Sequence, residues 1–276
     1  LESPVLSTSE FNGMVDRMGD SVATIDATFS VVDADKPLTA ALDRIRQEAE
    51  DAVRGGKTHL VLSDENIGPE QAAIPMILAA GGVHTHLVRH GLRTYTSLNV
   101  RSAECMDVHY CAVLIGVGST TINPYLAEVA ICDRYTRGLF PGSTLKACLE
   151  RYMSAIDQGL LKIMSKIGIS VLSSYRGGYY CEAVGLSRSL VAEFFPGMPS
   201  RISGIGLSGI KRNLLALHGE AYQSGEVVPM TLGGLYRYRR GEELHAFDGQ
   251  LIHILQSAVA SDSYGLYRRY SQGLRE

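Results

Sequence analysis

The sequence predicts an α/β protein built of serial β–α units around a mostly parallel sheet. Three observations carry that prediction. Short segments rich in β-branched residues alternate with longer ones whose apolar residues recur at helical spacing. The connections between them hold Gly, Pro, Asn and Asp, residues that turn a chain. The alternation repeats about six times, which places helices outside parallel strands. Right-handed crossovers then allow either an open doubly wound sheet or a barrel-like one, and periodicity does not separate them.

The elements follow in order. Ser21 to Phe29 reads as a strand. Leu38 to Val53 sets Leu42, Ile45, Ala49 and Val53 on one helical face, and Gly55-Gly56 stops that helix. Thr58 to Leu62 is a short buried strand that runs into Ser63-Asp64-Glu65-Asn66. Pro69 fits the first turn of an apolar helix reaching about Val88. Arg93 to Val100 reads as a strand, Cys105 to Gly116 as a helix, Ser119 to Ile122 as a strand and Pro124 to Arg137 as a helix. Leu145 to Ile167 is a long amphipathic helix, with Cys148, Tyr152, Ile156, Leu160 and Ile163 on one face. Ser170 to Ser173 is expected as a strand, and Glu182 to Phe195 as a helix broken near Gly185. Ile202 to Ile205 is expected as a strand before a helix to about Tyr222. After Gln223 the texture changes. Met230 to Arg240 is rich in Gly and Tyr, and Leu251 to Val259 and Ser263 to Tyr270 read as helices. Two regions are therefore expected, residues 1–222 and 223–276.

Bulk properties exclude several classes. With 276 residues, 45% hydrophobic and 20% charged, the chain has a sizeable core and is not a disordered protein. A net charge of −3, with both signs interspersed, gives no footprint for nucleic acid or an acidic membrane surface. No apolar run approaches the roughly 20 residues that span a bilayer. The five cysteines are irregularly spaced and the N-terminus has no export-signal pattern, so reduced thiols and a cytoplasmic setting are expected. The Leu1 start and the uncapped Arg-Glu end set the expectation of a segment cut from a longer protein.

Several candidates for chemistry each have an ordinary reading beside them. His86 and His90 lie four apart, the spacing of a helical metal pair, but the Glu of a zincin motif is missing, and a helix-surface or capping role is favoured. Cys105 and Cys111 could open an iron–sulfur site, but a third ligand at suitable spacing is missing, and buried structural thiols are favoured. Gly116 to Thr120 and Ser203 to Gly206 are Gly-rich turns that could hold an anion, or could simply be tight connections. Asp64 and Glu65 stand where β/α enzymes place catalytic groups, and capping of the next helix is favoured. The densest polar cluster beside apolar sequence is Lys162, Lys166 and Arg176-Gly177-Gly178, in a stretch that also holds Ser170 and Tyr175. There small residues allow another backbone to approach, and Arg176 could clamp a carboxylate or join an internal ion pair.

That cluster is also where a family resemblance enters. Leu161-Lys-Ile-Met-Ser-Lys-Ile-Gly-Ile-Ser170, Ser174-Tyr-Arg-Gly-Gly178, Glu182-Ala-Val-Gly-Leu186 and Ser200-Arg-Ile-Ser-Gly-Ile-Gly-Leu207 resemble the large subunit of glutamate synthase, bacterial members above all. Leu1 to Leu6, His59 to Asp64, Ala73 to Pro75, Gly82 to His86, Gly233 to Arg239 and His245 to Phe247 fit the same family in order along the chain. The resemblance implies a barrel-like, TIM-related central domain over residues 1–222 and the opening of an FMN-binding synthase domain from about 223. It implies a parent enzyme in which an amidotransferase domain releases ammonia from glutamine. Reduced FMN then completes its addition to 2-oxoglutarate, and a 3Fe–4S cluster passes electrons from a small NADPH-oxidising subunit or from ferredoxin. The family's nucleophile, cluster cysteines and FMN segment match no residue here, so no catalytic, cofactor or metal residue carries over and no cofactor is expected on this chain. The partners implied are the other domains of the large subunit and its reductant. The expected role is a scaffold and a wall of the ammonia passage, with the six residues from Lys162 to Gly177 at the passage or a domain interface. The competing readings are a free-standing β/α protein holding a small anion at its Gly turns, and a pure interaction module.

Overall fold

The computed structural model describes residues 3–32, 38–222 and 247–275. Two compact units divide it, Leu1–Gly219 and Glu220–Glu276. The first is the α/β unit. Helix α1 (Thr8–Met18) starts at a reciprocal cap, with Glu10 N–H on the Ser7 hydroxyl and Ser7 N–H on the Glu10 carboxylate. Strands β1 (Val22–Asp26), β3 (His59–Ser63), β5 (Ser97–Arg101) and β6 (Thr121–Asn123) form one parallel sheet in that spatial order. Leu60 pairs with Ala23 on one side and Leu98 on the other. Val61, Leu62 and Val100 are buried too, which explains why β3 and β5 read as continuous apolar runs. The four strands add in one direction, as in the winding of a (β/α) barrel. The N-terminal segment continues the sheet past β6: Ile122 N–H donates to Pro4 O and Leu6 N–H to Ile122 O. Asn99 sits in the core of β5 fully satisfied, donating to Leu60 O at 3.0 Å and accepting from the Thr121 hydroxyl at 2.8 Å.

Helix α2 (Leu38–Arg54) buries the predicted face, Leu42, Ile45, Ala49 and Val53, against α3 (Met76–Arg89). In turn α3 packs on α4 (Val108–Gly116) and α8 (Arg188–Phe194), while α4 and α5 (Tyr125–Thr136) pack on α6 (Leu145–Ile167). The α6 helix matches its predicted bounds and ends on Gly168, whose φ of +81° is the left-handed cap that glycine takes readily.

Other boundaries differ from expectation, each for a tertiary reason. The single strand expected over Ser21 to Phe29 splits at Ala27. Asp26 accepts from the Thr28 N–H and hydroxyl at 2.9 and 2.7 Å and turns the chain out. Strand β2 (Thr28–Ser30) then pairs antiparallel with β4 (Gln71–Ala73), and Arg44 clamps the bend by donating to Asp26 O and Thr28 O. The helix expected from Pro69 is therefore delayed to Met76, whose N–H is capped by Glu104 at 2.7 Å from far along the chain. Arg93–Tyr95 is a 3₁₀ turn, so β5 begins at Ser97. Helix α4 begins three residues later than expected, at the Asp107 cap. The short strand expected at Ser119 begins at Thr121.

No strand forms at Ser170 to Ser173: Leu172–Tyr175 is a short helix, α7. The helix expected over Glu182 to Phe195 is a strand, β7 (Val184–Leu186), followed by α8, which starts at the Ser187 cap. Gly185 has a φ of +77°, and a Cβ on Gly204 would lie 2.0 Å from Gly185 O. That close approach lets β7 pair in parallel with β8 (Ile202–Ile205), after which α9 (Leu207–Ala221) follows as expected. In the second unit α10 (Gly249–Ala260) and α11 (Tyr264–Gly273) cover the two predicted helices and pack on each other. The predicted Gly- and Tyr-rich stretch Met230 to Arg240 lies outside the described residues.

Candidate functional site

A cavity of about 500 Å³ opens among the N-terminal segment, β6, α6 and α7. Ser3, Pro4 and Thr121 line one side, and Leu160, Ser170 and Arg176 another. The Ser3 hydroxyl donates to Asp157 at 2.6 Å and ties the N-terminal segment to α6. Of the six predicted site residues, Ser170 and Arg176 meet at this cavity, while Lys162 and Lys166 are exposed on α6 outside its lining. Tyr175 is buried and stacks on Tyr180, with ring centroids 5.7 Å apart. Gly177, at φ +72°, donates its N–H to Ile115 O at 3.0 Å, and Tyr179 N–H reaches Gly116 O. Gly177 and Tyr179 thus pin the α7 loop to the end of α4, and this fixes where Arg176 stands.

Beside it lies a constellation that the sequence reading missed. Arg93 donates from Nε to His84 Nδ1 at 3.0 Å, from Nη1 to Thr96 O and from Nη2 to Gly118 O at 2.7 Å. His84 Nδ1 accepts, so the neutral ring carries its proton on Nε2. Burial, then Arg93 and Arg176, pushes the His84 pKa down to about 4, and burial with Arg176 pushes Arg93 down to about 10. Local sequence gives no sign of this cluster, because His84 and Arg93 lie on either side of a helix end and Arg176 is far along the chain.

Asp64 does not cap the helix that follows it, as was expected. Its buried carboxylate accepts from the Ser102 hydroxyl at 2.6 Å, from Ala103 N–H at 3.1 Å and from the Tyr125 hydroxyl at 2.9 Å. It holds the loop after β5 against the start of α5. Burial raises its pKa despite those donors. Asp64→Ala is expected to cost about 2–4 kcal/mol by stranding three donors around a buried site, and Asp64→Asn clearly less. Urea midpoints of the two variants measure this, and equal losses would remove the bracing role.

The histidine pair sits on the surface of α3. His86 Nε2 is 2.7 Å from a Glu50 carboxylate oxygen, and Arg54 Nε is 2.8 Å from the other. His90 caps the helix C-terminus, with Nδ1 2.8 Å from His86 O. Glu50, His86 and His90 bring one ligand atom each within 4.8 Å of one another, the sole such group among the described residues. Cys105 and Cys111 are core thiols. Burial raises both, Cys111 to about 12, as for thiols packed in a core. In the Gly116 to Thr120 turn, Gly118, Ser119 and Thr120 N–H already donate to Ile115, Leu114 and Leu98 carbonyls, which makes it a tight connection.

Fold and site together define a parallel (β/α) half-barrel whose buried polar groups hold its own loops in place. The chain belongs to the glutamate synthase central domain family, whose profile matches residues 1–187. It is 60% identical over 272 residues to the glutamate synthase [NADPH] large chain of Azospirillum brasilense, covering 99% of this chain. It is 36% identical to the corresponding large chain of Bacillus subtilis and 34% identical to the ferredoxin-dependent glutamate synthase of Spinacia oleracea, over 100% and 99% of this chain. It spans 18% of the length of each of these relatives. Among the described residues no helix is long and apolar enough to cross a membrane.

Proposed function

We propose that this chain is the rigid middle of a bacterial-type glutamate synthase large chain. In this reading it joins a glutamine-hydrolysing site to an FMN synthase site and walls the passage between them. The parent enzyme would convert glutamine, 2-oxoglutarate and a reductant to two glutamates in the cytoplasm. Residues 1–222 would be the central domain and its joining region, and 223–276 the opening of the synthase domain. FMN and a 3Fe–4S cluster would sit elsewhere in the large chain, with electrons from a small NADPH-oxidising subunit or from ferredoxin. The residues present here do not fit the cluster, since no three cysteines converge among those described.

One observation carries the scaffold reading. Parallel strands are ordinarily covered on both faces, yet all four residues of β8 are exposed. Val184 and Ile202, paired across β7 and β8, are 63% and 61% exposed. Leu161 and Val171, near the predicted interface residues Lys162, Lys166, Ser170 and Arg176, are also open. Apolar surface of this kind, on a chain that spans less than a fifth of its relatives, calls for the remaining domains to cover it. Tyr175 and Gly177 would position the loop. Ammonia protonates readily in water, so its transfer needs a wall that excludes solvent and holds two sites in register.

The test is a leak assay in the full-length enzyme. Val184→Asp, Val171→Asp and Lys166→Glu are expected to raise the glutamine hydrolysed per glutamate formed, by about twofold or more for the apolar-to-Asp changes, while a glutaminase measured alone persists. A ratio that stays at the wild-type value in all three would sink the reading.

A further inference from the structure

We propose that the N-terminal end of the parallel sheet carries an oxyanion-binding site built from Arg93, Arg176 and His84. The cavity there is about 570 Å³ and opens at the starts of β3, β5 and β6. Its lining includes Arg93, Arg176, His59, His84, Thr58, Thr94, Ser97 and Thr120, with no Asp or Glu among the described residues. Two cations in one polar cavity with no carboxylate among its described walls repel each other, and an anion between them removes that cost. The Arg93 bonds to His84, Thr96 O and Gly118 O use three of its five N–H donors on neutral acceptors. They fix its plane and leave its charge unopposed. Among the described residues Arg176 has no ion-pair or side-chain hydrogen-bond partner, so its whole donor fork is available.

His84 adds a donor without a third charge: Arg93 occupies its Nδ1, so the neutral ring presents Nε2–H. Forked N–H donors with surrounding hydroxyls suit a carboxylate or a phosphate. That oxyanion has two sources. One is a free small anion, and the other is an Asp or Glu side chain from a part of the large chain outside this segment. The proposal is independent of the ammonia passage, since it concerns occupancy and not transfer.

The experiment uses the full-length large chain with inorganic phosphate as the probe, followed by titration calorimetry at low and physiological salt, and a melting temperature for each variant. Arg176→Gln is chosen because Arg176 is exposed and its loss leaves the core intact. For a free anion, phosphate binds the wild type and binds Arg176→Gln at least about tenfold more weakly. For an internal carboxylate, the wild type takes up no phosphate, Arg176→Gln melts lower, and Arg176→Lys recovers part of the loss. Equal phosphate binding by wild type and Arg176→Gln overturns the site. So does an absence of binding combined with either an unchanged melting temperature or a loss that Arg176→Lys does not reduce.

Discussion

Gly118→Ala is expected to destabilise the α/β unit by about 3–5 kcal/mol, a large change for a single methyl group. Gly118 has a φ of +119°, where an L side chain is strained by about 1–3 kcal/mol. The added Cβ would also meet His84 at 2.2 Å from Nδ1 and 2.4 Å from Cγ. His84 cannot simply swing away, because Arg93 holds it at Nδ1, and the same Arg93 holds Gly118 O at 2.7 Å. Relief of the clash therefore breaks one of two bonds that fix a half-buried cation. Urea unfolding of wild type and variant measures the loss. The double variant Gly118→Ala/His84→Ala should recover the part due to the clash and keep the part due to φ. A single-variant loss below about 1 kcal/mol would mean that His84 and Arg93 yield easily, and would weaken the case for a preformed oxyanion cavity as well.

Phe194→Ala is the second large effect, expected to cost about 3–5 kcal/mol. The ring is 1% exposed and is the anchor of α8 on α3. It lies over Gly82, where a Cβ would be 3.2 Å from two ring carbons, and the Arg46 guanidinium stands 4.3 Å from its centroid. Its carbonyl accepts from the Thr85 hydroxyl at 2.9 Å. Truncation leaves a cavity between the helices and removes the aromatic face under Arg46, whose remaining partners Asp43 and Glu193 are largely in solvent. The β7–α8–β8 segment should then open before the four-stranded sheet does. Hydrogen exchange would show it as faster exchange from residues 184–205 with β3 and β5 unchanged. Uniformly faster exchange throughout would mean that α8 is an integral part of the main core.

Much of the fold is legible in the sequence because burial leaves a local signature. The 3.6-residue period of α2 and α6 names the faces that the structure buries, and the unbroken apolar runs of β3 and β5 mark strands covered on both sides. The misread segments are those whose state depends on a distant partner. Gln71–Ala73 looks like the opening of a helix, but it pairs with Thr28–Ser30. Val184–Leu186 looks helical, but the backbone at Gly204 comes close enough to pair with it. Propensity is worth tenths of a kcal/mol per residue, and a ladder of backbone hydrogen bonds outweighs it.

The candidate site divides in the same way. Arg176 stands out in the sequence as a cation in a Gly-rich loop next to apolar strands. Its company with Arg93 and His84 does not, since 83 positions separate the two arginines. The sequence by itself determined the serial β–α order and the main helix faces, because those properties are written in neighbouring residues. Only the tertiary structure decided why α3 tolerates Gly81-Gly82, which make room for Phe195 and Phe194, and why two arginines face one cavity without an acid among the described residues. The physical reason is that close packing and unopposed charge belong to pairs of segments brought together by folding, and no single segment carries them.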